Sequence, residues 1–296
     1  QGTRQLVHFI EDAILTPLRA GAEAEIPVFA YYGVSRALLD LPKSRKGFPK
    51  QHSRFDALAG ALNATSRFKS AFVWFYNKEN EETRFQREQR SFDVSLKELD
   101  AVRLAIARMF DDVAEPQVTL NPLRFVVRHG GQQLDLDQLS DGYKTLLALV
   151  IDLSARMSMA NPHLDDPLGV EAIVMIDEVD LHLHPAWQQH VIGDLLRTFP
   201  NTQFVLTTHS PFIVGSINNY LKRFNIRTDL IEDSEIASLL PLDPQDVKAY
   251  AITDSGKESL MDERRGLLDD KLLDCFNTMS RRYEYMRDIE WEQHRS

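Results

Sequence analysis

Cysteine is almost missing from this chain. The lone Cys275 among 296 residues excludes an internal disulfide framework and fits a reducing compartment, so a cytoplasmic protein is expected. Long apolar runs are missing as well. No stretch approaches the roughly 18 apolar residues of a membrane span, and the start Gln1-Gly2-Thr3-Arg4 has no apolar signal region, so no membrane partner is expected. The absence of an initiator Met suggests that Gln1 is not the natural start. Basic residues are outnumbered by acidic ones. The net charge of −10 argues against a surface coated for nucleic acid, while leaving room for local basic patches. What remains is 43% hydrophobic, enough for a substantial soluble core in one large or two ordinary domains.

The richest stretch is 172–185, A-I-V-M-I-D-E-V-D-L-H-L-H-P. Four uninterrupted apolar residues, 173–176, predict a strand buried on both faces of a parallel sheet, and Asp177 and Glu178 follow at once. The carboxyl end of such a strand opens onto the crevice where α/β proteins bind ligands. Mg²⁺ prefers one or two carboxylates plus water and phosphate oxygens, so Asp177 is a candidate metal ligand. Glu178 would then be left to orient or deprotonate an attacking water. A strand that merely ends in solvated acids is the competing reading.

The flanking elements are expected as follows. Residues 5–18 show helical spacing that ends near Pro17, and 26–32 read as a strand, followed by Gly33-Val34-Ser35-Arg36. Arg36 is a weak site candidate against the commoner surface arginine. From 36 to 54 six Lys/Arg face the single acid Asp40; this basic loop could touch nucleic-acid phosphates or simply be solvated. Phe68, Phe72, Phe75 and Tyr76 then fall on one helix face, a core stripe rather than a base-stacking platform. A second helix follows over 94–110. Between 117 and 136 the period changes to two, with Gly130-Gly131 at a hairpin turn, so two or three antiparallel strands are expected. Ser140 stands as N-cap of a helix over 143–157, whose free backbone N–H groups could receive an anion, with Gly142 allowing close approach. After Pro185 another helix leads to a strand over 203–207, which ends in Thr208-His209-Ser210-Pro211. A histidine there would share the crevice of the acidic pair and could donate to a phosphate oxygen.

In order and spacing, Leu139-Ser140-Asp141-Gly142, then 173–178, then Asp180 and His182-Leu183-His184-Pro185, then Thr207-Thr208-His209-Ser210-Pro211 resemble ATPase heads of the ATP-binding-cassette superfamily. More narrowly they resemble the overcoming-lysogenisation, recombination and structural-maintenance branch, and within it the ATPase subunits of Septu-type and retron-linked anti-phage systems, which share the segment around Tyr31-Tyr32-Gly33 and Ser35-Arg36. The resemblance implies an α/β P-loop NTPase fold of ATP-binding-cassette type with a helical insertion and an antiparallel β segment. It divides the chain into core (1–35), basic loop and helical insertion (36–115), core again (116–250) and a helical tail (251–296). It also implies ATP and Mg²⁺ as ligands, with Asp177 as the Walker B aspartate, Glu178 as catalytic base and His209 as switch histidine. Ser140, Asp141 and Gly142 would form a signature loop that reaches a partner's γ-phosphate, Asp180 would lie in the dimer-contacting loop, and Thr208 and Arg36 would lie near nucleotide. The implied partners are a second copy of the chain and an effector such as an HNH-type nuclease.

Two features depart from that pattern. Asp141 and Tyr143 occupy the third and fifth signature positions, where transporters have glycine and glutamine. No G-x-x-x-x-G-K-[ST] phosphate loop occurs anywhere, so the expectation is that an N-terminal segment carrying it is lacking, with a degenerate subunit that donates only its signature loop in trans as the alternative, and that this polypeptide alone does not hydrolyse ATP. Two readings compete with the ATPase. A metal hydrolase would use Asp180, His182, His184, His190 and His209. A non-catalytic module would dock a partner on the stripe Leu268, Leu272, Leu273, Phe276, Met279, Tyr283 and Met286, for which core packing is the alternative use.

Overall fold

The computed structural model describes residues 2–37, 41–49, 51–63, 68–254, 256–262 and 264–269, and in the tail 278, 280–287, 289 and 291. In chain order the main elements are α1 (Gly2–Phe9), a π-helical turn (Ile10–Leu15), α2 (Thr16–Arg19), β1 (Val28–Tyr32), α3 (Phe68–Gln89), α4 (Lys97–Met109), β2 (Val113–Leu120), β3 (Leu123–His129) and β4 (Gln132–Asp135). There follow α5 (Asp141–Ala160), β5 (Ala172–Ile176), α6 (Pro185–Gln188), α7 (Val191–Thr198), β6 (Thr202–Leu206), α8 (Pro211–Phe224), β7 (Tyr250–Thr253), β8 (Gly256–Ser259), β9 (Met261–Asp262) and β10 (Leu267–Leu268). Two compact units result, one spanning 1–183 and 194–207, the other 184–193 and 208–296.

A parallel sheet in the order β1-β5-β6 organises the first unit. Its register pairs Tyr32 with Ile176 and Ile176 with Leu206, so the three carboxyl ends finish level. One sheet face is covered along β1 and β5, while Phe204 and Leu206 of β6 are half-buried on the same face. Val28, Ala30, Tyr32, Val174 and Ile176 are at most 2% exposed, and α5, which packs against β1, is buried all round from Thr145 to Ala160. That explains its lack of a polar stripe. The other face corrects the reading of β5 as buried on both sides, because Ile173 and, on β6, Val205 remain 37% and 50% exposed.

Polar groups fasten the two ends of this layer. At the end of α5, the buried Asn161 accepts from the Ile26 N–H at 2.8 Å and donates to the Ile26 carbonyl at 3.0 Å, so a side-chain amide stands in for a neighbouring strand. Deeper in the layer, the Tyr32 hydroxyl and the Arg156 Nε both donate to Asp152 Oδ2, at 2.9 and 2.7 Å, and Arg156 also donates to the Ala57 carbonyl.

Phe68, Phe72 and Phe75 of α3 surround Phe125 of β3 with ring centroids 5.8, 6.1 and 5.2 Å away. These three are core, as their helical spacing predicts, while Tyr76 of the same stripe is half-buried. All three antiparallel strands form in the order β2-β3-β4, and the turn joining β3 to β4 has φ of 55° and 81° at Gly130 and Gly131, values that favour glycine at both central positions. Strand β2 begins earlier than the alternation shows, at Val113, because an irregularity between Ala114 and Gln117 breaks the period. At the other end of the chain, Pro17 does not stop its helix at once: the helical run continues to Arg19, and a π-helical turn, Ile10–Leu15, lies directly before the segment that carries the proline.

Glu79 of α3 accepts from the Val118 N–H at 3.0 Å. Burial raises its carboxyl pKa to about 7, against the opposing pull of that hydrogen bond and of Arg103. Because the folded pKa lies above the unfolded one, the folded state binds more protons between about pH 4.5 and 7, and stability falls as pH rises through that window. Glu79→Gln keeps an acceptor without the charge. It is expected to raise the unfolding free energy by about 1–2 kcal/mol at pH 8, after discounting for solvent around this half-buried group, and to change it little at pH 4. Denaturant titrations at the two pH values check this.

Two of the six basic residues between 36 and 54 serve the interior. Arg36 is buried, and Arg54 donates to the carbonyls of Ala24 and Ala160. Lys43, Arg45 and Lys46 stay exposed, while Lys50 and the acid Asp40 lie outside the described residues.

In the second unit, Val214, Leu221 and Leu268 form a small core against Ile217, Leu242 and Val247. Leu267 and Leu268 pair with Asp262 and Met261 in an antiparallel ladder, which corrects their assignment to a tail helix. Leu272, Leu273, Phe276 and Met279 lie outside the described residues, whereas Tyr283 and Met286 are exposed rather than packed.

Candidate functional site

Level strand ends bring the acidic pair beside its neighbours. The Asp177 N–H donates to the Tyr32 carbonyl at 2.9 Å and the Thr207 N–H donates to the Ile176 carbonyl at 3.1 Å, so the ladders of β5 run one residue past the strands. Beyond them the chain turns sharply. The Leu181 N–H donates to the Glu178 carbonyl at 2.8 Å and the Leu183 N–H to the Asp180 carbonyl at 3.0 Å. Glu178 and His182 take left-handed backbone conformations, φ 47° and 61°, which non-glycine residues adopt only where their surroundings hold them.

Thr207 joins the two carboxylate residues. Its hydroxyl donates to Asp177 Oδ1 at 2.5 Å and accepts from the Glu178 N–H at 2.8 Å, which fixes one Asp177 oxygen. Sequence patterning marks Thr207 only as the end of a strand. Its role depends on β6 lying next to β5, a contact across 30 residues. Asp177, Glu178 and Asp180 are all half-buried at this mouth. A half-buried carboxylate oriented by a neutral hydroxyl suits a hard, oxygen-seeking ion such as Mg²⁺. Zinc finds less. Among the described residues no group of three or more His, Cys, Asp and Glu side chains is placed to hold a metal, and the His184 Nδ1 instead accepts from the Ala186 N–H as N-cap of α6.

Arg36 sits beneath the turn. From the short 3-10 segment Val34–Ala37 its guanidinium donates to the carbonyls of Gly33, Asp177 and Glu178. Burial lowers its pKa, opposed by the fields of Asp177, Glu178 and Asp180.

The start of α5 completes the floor. The Ser140 hydroxyl accepts from the Tyr143 N–H at 3.4 Å, as an N-cap does. Asp141 is exposed and paired with Lys144 at 2.9 Å, and that partner lowers its carboxyl pKa. The Tyr143 hydroxyl donates to Asp112, and burial, then Asp112, push its pKa up to about 12. Gly142 is the informative residue here. A Cβ at its position would stand 2.4 Å from the His182 carbonyl oxygen, so the chain's own backbone fills the space that a side chain here would need.

Thr208 and His209 belong to the second unit. The Thr208 hydroxyl accepts from the Ser210 N–H at 3.0 Å. Ser210 in turn caps α8, accepting from the N–H groups of Phe212 and Ile213, and donates to Gln188 at 2.5 Å. His209 is exposed. The residues that the structure gathers around one loop are therefore Arg36, Gly142, Asp177, Glu178 and Thr207, with Asp180 in the loop itself.

Comparison with known proteins gives a consistent picture. The chain is 28% identical over 236 residues to "Retron Vc95 probable ATPase" of Vibrio cholerae serotype O1 biovar El Tor, covering 65% of this chain and 46% of that protein. It is 40% identical over 128 residues to "Retron Ec83 probable ATPase" of Escherichia coli, covering 43% and 24%. It is 34% identical over 144 residues to "Septu protein PtuA" of Bacillus mycoides (strain KBAB4), covering 49% and 17%. The chain thus spans less than half the length of each of these relatives. Residues 22–215, more than half of the chain and including the parallel sheet, α5 and the acidic turn, match the family model "AAA domain, putative AbiEii toxin, Type IV TA system", and the chain belongs to that AAA-domain family.

Proposed function

We propose that this chain is the catalytic part of an ATPase head, working in an anti-phage defence system of retron or Septu type. The observation that carries the reading is the acidic turn at the mouth of a parallel sheet, with Asp177 and Glu178 joined by the Thr207 hydroxyl. Family membership and relatives that are named probable ATPases support it.

In this proposal Asp177 holds Mg²⁺, which when bound supplies charge neutralisation for the phosphates. Glu178 orients and deprotonates the attacking water. His209 donates to a γ-phosphate oxygen. The phosphate-cradling loop comes from outside this sequence, which contains none. Two heads of ATP-binding-cassette type then close around ATP, Ser140 and Asp180 facing the partner, and hydrolysis reopens them to control a nucleic-acid-acting effector such as an HNH-type nuclease. Among the described residues, the exposed Lys43, Arg45 and Lys46 are those of the basic segment that would meet nucleic acid.

The test is ATP turnover by the complete natural protein beside its Glu178→Gln form. Turnover is expected to fall about 100-fold while nucleotide binding is kept. A complete protein that neither binds nor hydrolyses ATP would rule the reading out.

A further inference from the structure

Arg36 is 3% exposed, and all three acceptors recorded for its guanidinium are backbone carbonyls. NH1 donates to Gly33 at 3.2 Å and to Asp177 at 2.5 Å, and NH2 donates to Glu178 at 2.6 Å. A buried cation is costly unless hydrogen-bonded and placed in a favourable field. Here the field comes from Asp177, Glu178 and Asp180, and the guanidinium stays charged despite its lowered pKa. The consecutive carbonyls it binds belong to the two peptide units that flank the Glu178 Cα, and Glu178 is the residue whose φ is 47°. On its amino side Glu178 is tied by its N–H to Thr207, and on its carbonyl side by the Arg36 fork and the Leu181 N–H. Backbone angles fix the direction of Cα–Cβ, so whatever holds this conformation aims the carboxylate.

We propose that Arg36 is a positioning residue that aims Glu178 by clamping the backbone carbonyls of residues 177 and 178, rather than a ligand of the nucleotide. The proposal rests on the reading of Glu178 as catalytic base. Lysine is no substitute at this position, because an ammonium on a flexible stem cannot reproduce a planar fork across two carbonyls. Arginine is also fixed in place by its own short turn, in which the Arg36 N–H donates to the Gly33 carbonyl at 3.1 Å.

The experiment compares the complete natural protein with its Arg36→Lys form, by steady-state ATP turnover and by amide hydrogen exchange. The expected result is a kcat lowered at least about 10-fold with KM for ATP within about threefold of wild type, together with faster exchange over 177–183 and unchanged protection in α5. Wild-type kcat in the lysine form overturns the proposal. So does a KM that rises in step with the fall in kcat, the signature of a direct ligand. If the wild-type protein has no turnover, the ATPase reading fails by itself, and hydrogen exchange still decides the clamp: unchanged exchange over 177–183 overturns it. Should Arg36→Lys fail to fold, thermal midpoints of Glu178→Gly and Glu178→Ala replace it. Glycine adopts positive φ freely, so the glycine form is expected to melt at the higher temperature, and the reverse order overturns the held left-handed conformation.

Discussion

Asp152→Ala is expected to lower the unfolding free energy by about 3–5 kcal/mol, the range for removing one partner of a buried ion pair. Asp152 is 2% exposed and Arg156 is 6% exposed, so loss of the carboxylate leaves a desolvated guanidinium whose remaining recorded acceptor is the Ala57 carbonyl, and it orphans the Tyr32 hydroxyl. The titration shifts carry the same message. Burial disfavours charged Arg156, yet its pKa is raised, because Asp152 and then Tyr32 outweigh that cost. Burial first and Asp152 next raise the Tyr32 pKa well above its usual value, so the tyrosine stays the donor. Tyr32→Phe alone should cost only about 1 kcal/mol, since one neutral donor is lost and the ion pair survives. The pairing of Asp152→Leu with Arg156→Met should recover most of the single-mutant loss, because an apolar pair removes both charges at once. Chemical denaturation of the four proteins checks the set. An Asp152→Ala form as stable as Tyr32→Phe would mean that Arg156 reaches solvent and that the ion pair is not a buried one.

That network also shows what a sequence carries openly and what it conceals. The strand before Asp177, the cap at Ser140, the Phe68–Phe72–Phe75 stripe and the Gly130-Gly131 turn are all local. Each is encoded by periodicity or by turn chemistry within a dozen residues, and each appears in the fold. Arg36, Thr207 and Gly142 are different, because their surroundings are assembled from distant segments. Arg36 reads as a surface arginine in a basic run, and only the arrival of residues 177 and 178 from 141 and 142 positions away makes it internal. Thr207 looks like the last residue of a strand until β6 settles against β5. The open face of β5 was concealed for a related reason: an apolar run reports that a strand prefers cover, and whether an element covers both faces is decided elsewhere in the assembly. Leu267 and Leu268 show the limit of helical spacing in a short segment, where pairing with Met261 and Asp262 prevails over pattern.

Gly142→Ala should destabilise the protein by about 3 kcal/mol, the upper part of the range for forcing atoms into a packed interior. The new Cβ would meet the His182 carbonyl oxygen at 2.4 Å, its carbon at 3.1 Å and the Leu183 Cα at 3.4 Å. All three are backbone atoms, so no side-chain rotation relieves the contact. Either the first turn of α5 or the loop following Glu178 must move. Gly215, inside α8, is the natural control, because nothing lies within 4 Å of a Cβ built there. Gly215→Ala should therefore be stabilising by about 0.5–1 kcal/mol, the ordinary gain of alanine over glycine in a helix. The two substitutions separate two explanations of the same glycine. If Gly142 exists to let a phosphate approach, its alanine form should fold normally and lose only nucleotide affinity. If it exists to let the acidic loop lie against the helix, stability should fall with no nucleotide present, and the unfolding midpoint of the two alanine forms, measured without ligand, decides between them. The 2.4 Å approach favours the second. In that case the loop bearing Asp177, Glu178 and Asp180 is seated on the capped end of α5 before any ligand arrives, held at one end by the Arg36 fork and at the other by a glycine with no side chain in the way.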